Sequence, residues 1–249
     1  SVVTPFRQAY EKGRTPNPCV ECNAHFKFGL LWEILEQHYA PAFHVATGHY
    51  ARCGTYEGYP FLGRALDTKK DQSYFLCRIA PERIPRLLLP LGEYSKEQTR
   101  AIAAQAGLAV ADKKDSMEIC FAGEGNYRTI LDTKQGKGPI LNQEGVQLGE
   151  HNGISGYTLG QRKGLGVSAP EPLYVVQILP EQNTIIVAPK EASFFHTVRA
   201  EMPNVLIPQQ YTKTAPLFGK IRSQGEPSPC KITYCDKDTL EVTFDTPQF

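Results

Sequence analysis

The apolar positions follow two regimes along the chain. Residues 26–38 read as a helix, with Phe28, Leu31, Trp32, Leu35 and, just beyond, Tyr39 on one stripe. Residues 43–46 form a short apolar run that breaks at Thr47-Gly48-His49, the pattern of a buried strand entering a loop. In open α/β sheets, ligands collect at such carboxyl ends of strands. Residues 95–106 give the clearest helix, opened by a capping box of Ser95 and Gln98 and stopped at Gly107. Leu108-Ala-Val110 is a second short apolar run. Helices alternating with short apolar strands predict an α/β region through about residue 125.

From about residue 136 the period shortens and glycines punctuate it. Residues 139–141 and 146–148 read as a hairpin around 143–145. Residues 173–179 and 184–187 read as a second, turned by Pro180-Glu-Gln-Asn183. Further strands are expected near 217–222, 229–235 and 239–244, with Asp236-Lys-Asp238 as a turn. Residues 126–249 are therefore mostly β, in two small units joined between Pro189 and Pro203. No internal repeat or low-complexity tract occurs.

Composition narrows the function classes. Of 249 residues 41% are hydrophobic, enough for a sizeable core and too many for disorder. The formal net charge of +1 excludes a globally basic nucleic-acid binder, so any such site is a local patch. Seven cysteines, an odd number, with no signal peptide and no membrane-length apolar run, predict reduced thiols in a reducing, cytoplasmic setting. Both ends are abrupt: the sequence opens on Ser1 and stops at Phe249, directly after the strand-like 240–244, which predicts a fragment of a longer protein.

Four segments carry candidate chemistry. Cys19 and Cys22 form a C-x-x-C after Asn17-Pro18. Zinc would need two more ligands, and the other close pair, Cys230 and Cys235, lies in a different predicted unit. A redox pair, two structural core cysteines and a reactive thiol on a rigid loop remain as readings. Cys120, in Glu118-Ile-Cys-Phe121, reads alone as a core cysteine; nearby Lys113 and Lys114 favour a thiolate, while Asp115 and Glu118 oppose one. Gly123 and Gly125 break regular structure just after it. Lys69-Lys-Asp-Gln-Ser-Tyr74 reads as an exposed turn and helix start, or as a loop that touches a polar substrate. Gly160-Gln-Arg-Lys-Gly-Leu-Gly166 reads as a solvated connection, or as a phosphate contact through backbone N–H groups, Arg162 and Lys163.

Taken in order, Gly13-Arg-Thr-Pro-Asn-Pro-Cys-Val-Glu-Cys-Asn23, Lys27-Phe-Gly29, Ala46-Thr-Gly-His-Tyr-Ala-Arg52, Lys70-Asp-Gln-Ser-Tyr-Phe-Leu76, Asp115-Ser-Met-Glu-Ile-Cys-Phe121, Gly149-Glu-His151 and Tyr157-Thr-Leu-Gly-Gln-Arg-Lys-Gly-Leu-Gly166 make a specific series. The chain resembles the bacterial and mitochondrial tRNA-specific 2-thiouridylases (MnmA/TrmU) over nearly its whole length. The resemblance implies an α/β fold: a partial PP-loop, adenine nucleotide α-hydrolase-like domain (1–125), a small central β-rich domain (126–193) and a truncated C-terminal β-barrel (194–249). It implies ATP-dependent conversion of the wobble uridine, position 34 of tRNA, to 2-thiouridine through adenylation of the base and a cysteine persulfide. By motif position, Cys22 is the attacking or resolving thiol and Cys120 the persulfide carrier, with a Cys22–Cys120 disulfide as one outcome of transfer. Asn17, Pro18 and Cys19 fall where the family contacts the target base, and Gly48 falls on an ATP-binding position. His49, Lys70, Asp71, Gln72, Arg222 and Ser223 fall on tRNA contacts. The implied cofactors are ATP with Mg2+ and persulfide sulfur from a donor protein. The implied partners are tRNA and a sulfur-relay protein or cysteine desulfurase, with no membrane and no DNA.

Three departures stand against this pattern. The Ser-Gly-Gly-Val-Asp-Ser-type phosphate loop of the family is absent, the barrel stops before its last strands, and Cys19 stands where some relatives carry Asp. A non-catalytic tRNA-binding fragment and a zinc-stabilised β-rich interaction module are the rival readings. Other PP-loop enzymes that adenylate a carbonyl oxygen lack this pairing of cysteine motifs.

Overall fold

Helix formation starts earlier than the stripe predicts, at Pro18, where a ring-fixed φ suits a first turn. The computed structural model describes residues 2–112, 119–121, 130–131 and 136–249. In chain order they form α1 (Val3–Glu11), α2 (Pro18–Glu21), a π-helical segment (Cys22–Leu30), α3 (Leu31–Tyr39), β1 (Val45–Ala46), β2 (Ala51–Tyr56), β3 (Tyr59–Arg64), β4 (Leu87–Leu88) and α4 (Lys96–Gln105). Then follow β5 (Gly138–Leu141), β6 (Gln147–His151), β7 (Leu173–Leu179), β8 (Thr184–Pro189), β9 (Phe195–Glu201), α5 (Gln209–Thr214), β10 (Leu217–Gly219), β11 (Ser228–Cys235) and β12 (Thr239–Gln248). The described residues of Ser1–Pro18, Ser116–His196 and Pro247–Phe249 form one compact unit, and those of Cys19–Asp115 and Thr197–Thr246 a second. The expected boundary at 125/126 lies outside the described residues.

The second unit is built on the helix run and the short parallel pair β1–β4, in which Val45 faces Leu87 and Ala46 faces Leu88. Its core joins Phe28, Trp32, Val45, Leu76, Ile84 and Leu87. Trp32 meets Phe43 edge to face at 5.3 Å, and the Arg86 guanidinium lies over both rings, 5.1 and 4.8 Å from their centroids. Of the predicted stripe, Phe28 and Trp32 are buried and Leu35 is half-buried, but Leu31 and Tyr39 are exposed. The π winding up to Leu30 turns Leu31 off this face, and Tyr39 is the last residue of α3. Phe28, Trp32 and Leu35, spaced i, i+4, i+7, keep one face against the core.

The capping box of α4 is present, with Ser95 Oγ accepting from Gln98 N and Gln98 Oε1 accepting from Ser95 N. Residues 108–110 are a correction. They form a turn, with Leu108 and Val110 exposed, because no strand among the described residues offers them a ladder. The hairpin β2–β3 turns on Glu57 and Gly58, both at positive φ, a two-residue turn whose Glu-Gly sequence masked it. The expected join contains β9, which pairs with β12 in the sheet β10-β11-β12-β9.

In the first unit the sheet order is β6-β5-β8-β7, with β5 and β8 parallel and the outer pairs antiparallel. Ile140, Ile154, Val175, Ile185 and Val187 fill its core. His151, 1% exposed at the end of β6, locks two turns. Its Nδ1 accepts from Gly153 N at 3.0 Å, so Nε2 carries the proton and donates to the Asn183 carbonyl at 2.9 Å. Burial holds this imidazole below its ordinary value, and a proton on Nδ1 would abolish the Gly153 bond.

Its contribution to stability is therefore complete above the unfolded value near ~6.5 and is lost as pH falls through that value toward the folded one. His151→Ala is expected to cost roughly 2–4 kcal/mol, from lost packing and two orphaned backbone groups. It should also flatten the fall of melting temperature between about pH 7 and 5. Equal pH slopes for wild type and variant in thermal melts would contradict this role.

Candidate functional site

Cys22 opens the π-helical segment and is half-buried; Cys19, one turn earlier, is exposed, Pro18 is buried and Asn17 is half-buried. Such π segments are rare and concentrate at functional positions. Two residues secure this one. Gly29 is buried, and a Cβ there would lie 2.7 Å from the carbonyl oxygen of Ala24, so only glycine fits this turn. Asn23, 3% exposed, donates from Nδ2 to the Phe75 carbonyl at 3.0 Å. Its Oδ1 has no partner among the described residues. The helix face beside Cys22 is thereby tied to the segment that follows Lys70-Asp71-Gln72.

The same face reaches the end of β1. The Phe28 and His49 rings are 6.0 Å apart, and Thr47 Oγ1 is 2.8 Å from His49 Nδ1. Burial, and secondarily the Lys27 charge, hold His49 down to about 4, so it is neutral at pH 7. Gly48 is exposed at this strand end, and a Cβ there would make only ordinary contact with Leu91.

Gln72 and Asp71 are bound inside the unit. Gln72 Oε1 accepts from Tyr50 N at 2.9 Å, and Gln72 N donates to the Tyr50 carbonyl at 2.7 Å. The Asp71 side chain is 2% exposed. Its Oδ1 accepts from Ala65 N and Ser73 N, and its Oδ2 from Ser73 Oγ at 3.0 Å. Arg64 Nε lies 3.5 Å and Lys220 Nζ 4.0 Å from Oδ2. The first of these is too poorly aligned to count as a hydrogen bond and is an ion contact. Tyr74 Oη donates to the Ile221 carbonyl at 3.1 Å, which docks the Arg222–Ser223 loop against the 71–74 turn. Desolvation raises the Tyr74 phenol, and the Arg222 charge pulls it the other way.

These contacts bring Cys19, Cys22, Gly48, His49, Lys70, Asp71, Gln72, Arg222 and Ser223 into one connected region of the second unit. Asn17, Pro18 and Cys120 belong to the first unit. There Ile119 and Phe121 pack on the cluster of Phe6, Tyr10 and Leu131, with the Phe6 and Phe121 rings 5.4 Å apart, and Cys120 between them is exposed. The core reading of Cys120 is corrected accordingly. Lys113, Lys114, Asp115 and Glu118, and Gly123 and Gly125, lie outside the described residues. All seven cysteines are free. Among the described residues no group of three or more His, Cys, Asp or Glu side chains could hold a metal ion. Sequence reasoning gave no role to Asn23, Lys27, Tyr74 or Lys220. For Asn23 a signal was available: an amide immediately before an apolar helix face must be either exposed or hydrogen-bonded.

Comparison with known proteins adds the family. The chain matches the tRNA methyl transferase HUP domain over residues 1–124, the tRNA methyl transferase PRC-barrel domain over 129–189 and the aminomethyltransferase beta-barrel domain over 195–249. It is 41% identical over 255 residues to the tRNA-specific 2-thiouridylase MnmA of Syntrophotalea carbinolica, covering 99% of this chain and 70% of that one. The corresponding proteins of Pelotomaculum thermopropionicum and Clostridium tetani are 40% and 39% identical, each over 99% of this chain and 68% and 69% of theirs.

Gly29→Ala is expected to lower stability by about 1–3 kcal/mol, because the added methyl meets backbone rather than a movable side chain. Urea midpoints check this. A variant as stable as wild type would mean that the π turn rewinds without cost.

Proposed function

Because the chain belongs to the tRNA-specific 2-thiouridylase family, we propose that it carries out ATP-dependent sulfur transfer to C2 of the wobble uridine of tRNA. The observation that carries this reading is the setting of two thiols. Cys22 is half-buried on a pinned helix turn, and Cys120 stands exposed between two anchored apolar residues. A methyl transferase reading, suggested by the wording of the family models, gives these thiols nothing to do.

The chemistry needs a leaving group and a nucleophile. The C2 oxygen of uracil leaves poorly, and its attack on the α-phosphate of ATP, with loss of pyrophosphate, makes it part of an AMP leaving group. Sulfur arrives as a persulfide on Cys120, delivered by a sulfur-relay protein or cysteine desulfurase. The Cys22 thiolate attacks the inner sulfur of that persulfide, forms the Cys22–Cys120 disulfide and releases hydrosulfide, which displaces AMP at C2. Alternatively the outer persulfide sulfur attacks C2 first, AMP departs, and Cys22 then cleaves the S–S bond to leave 2-thiouridine and the same disulfide. Either route oxidises the two cysteines and requires an external dithiol to reset them. Covalent carriage divides one difficult substitution into easier steps.

The residues fit these roles unequally. Gly48, open at a strand end, suits the approach of the nucleotide, and neutral His49 adds a hydrogen-bonding ring without charge beside it. Mg2+ would enter with the nucleotide phosphates, since a cation of this kind is held by few protein ligands when phosphates supply the rest. Asn17, Pro18 and Cys19 flank the target base. Lys70, Arg222 and Ser223 face the tRNA, while Asp71 and Gln72 act by fixing the loop that presents Lys70. The domain division at 125/126 and 193/194 belongs to the same reading. No helix among the described residues is long and apolar enough to cross a membrane, and seven free thiols suit the reducing cytoplasm.

Cys22→Ser and Cys120→Ser are each expected to abolish 2-thiouridine in a host lacking its own thiolation activity while leaving tRNA affinity nearly unchanged. Mass spectrometry of tRNA nucleosides reads the outcome. Wild-type levels of 2-thiouridine with either variant would rule out the assigned role.

A further inference from the structure

The Gly160–Gly166 loop lies in the first unit, and its geometry is specific. Gly160 N donates to the Val175 carbonyl at 2.8 Å, and Val175 N donates back to the Gln161 carbonyl at 3.0 Å. The Gln161 side chain braces both sides: Oε1 accepts from Thr158 N at 3.1 Å, and Nε2 donates to the Lys163 carbonyl at 3.0 Å. Leu165 is buried in the sheet core and pegs the far end. Gly160, Gly164 and Gly166 all have φ between 71° and 80°, a left-handed conformation that favours glycine. Four fixed points thus hold a seven-residue loop.

What this frame presents is a set of unsatisfied donors. Among the described residues, the backbone N–H groups of Arg162, Lys163 and Gly164 have no acceptor, and neither the Arg162 nor the Lys163 side chain forms an ion pair. Both side chains are exposed. The loop walls a cavity of about 570 Å³ lined by Arg162, Gly164, Leu165, Gly166 and Glu171 among others. Unbonded backbone N–H groups beside left-handed glycines, with the Arg162 guanidinium on the wall of the hollow and the exposed Lys163 ammonium next to it in the chain, form an anion-binding arrangement. Glu171 is the one carboxylate on its wall, and it opposes an anion.

We propose that this loop is an anion site that takes a phosphate of an RNA backbone; the identity of the RNA as tRNA rests on the function proposed above. A rigid loop fixes position on the RNA without reading sequence, which is what phosphate contacts do. With a net charge of only +1, RNA affinity depends on such local cations.

The test is tRNA binding by fluorescence anisotropy between about 50 and 200 mM salt. The double variant Arg162→Ala, Lys163→Ala is expected to bind at least about tenfold more weakly. Its plot of log affinity against log salt should be shallower by about 1–2, roughly one phosphate contact per lost cation. Glu171→Gln should tighten binding by about two- to fivefold. As a readout independent of tRNA, the amide resonances of Gly164 and Gly166 should shift on titration with inorganic phosphate and stop shifting in the double variant. An unchanged salt slope in the double variant overturns the RNA assignment, even if inorganic phosphate moves the amides. If wild type binds no tRNA, the thiolation reading falls. In that case amides that also ignore phosphate overturn the anion site, and amides that respond sustain it.

Discussion

The hydrogen bond from Asn23 to the Phe75 carbonyl is the point on which the candidate site turns. Residues 71–79 contain only short 3-10 turns, so their backbone groups have little regular structure to satisfy them. Side chains from elsewhere do it instead. Asn23 bonds the Phe75 carbonyl, and Asn204 Nδ2 reaches both the Cys77 and Ile79 carbonyls at 2.8 Å. Tyr74 anchors to Ile221, and Gln72 exchanges two bonds with Tyr50. An irregular strap held this way is stiff only while every clamp is in place. The arrangement couples the helix bearing Cys22, the strand end bearing Gly48 and His49, and the strands that follow residue 197.

This strap explains why residues of one motif act so differently. Asp71 is two residues before Ser73 and six after Ala65, and its carboxylate accepts from both backbones while two cations stand near it. Buried and fully bonded, it organises the turn and attracts Arg64 and Lys220 to it. A buried carboxylate surrounded by more cations than it can neutralise leaves a locally positive surface. Lys220 and Arg64 thereby add positive charge to the turn whose neighbour Arg222 is exposed.

Much of the fold was legible because local signals agreed. The capping box at Ser95 and Gln98, the turn at Asn183 and the Asx turn at Asp236, whose Oδ1 accepts from Asp238 N and Thr239 N, lie where residue chemistry put them. The misses have physical causes. The π winding of Cys22–Leu30 depends on Gly29 meeting its own backbone and on Asn23 finding a carbonyl 52 residues away, and neither is encoded in a period. Leu108–Val110 has strand-like composition but no partner strand. Glu57-Gly58 turns a hairpin without the usual Asn, and β9 was hidden because its mostly exposed residues alternate weakly. The motif residues of the site were legible, but that Asp71 and Gln72 bond backbone groups of distant segments was not, since those partners are tertiary.

The cysteines show the same division between composition and environment. Desolvation pushes the thiols of Cys53, Cys77 and Cys230 up, and Cys53 also donates to the Leu87 carbonyl, all of which disfavours a thiolate. A sequence count treats these three as equal to Cys19, Cys22 and Cys120. Exposure alone does not separate them, since Cys77 is exposed and Cys22 and Cys53 are both half-buried; a nucleophilic thiol needs access together with a fixed approach. Cys120 obtains both from Ile119 and Phe121, whose side chains anchor the backbone on either side and leave the sulfur between them in solvent. Cys22 obtains them from a helix turn whose next residue is clamped. Two unrelated local solutions to one chemical demand are what the proposed reaction requires, in which one thiol carries sulfur and the other releases it, since each must be presented without being mobile enough to react with the other five.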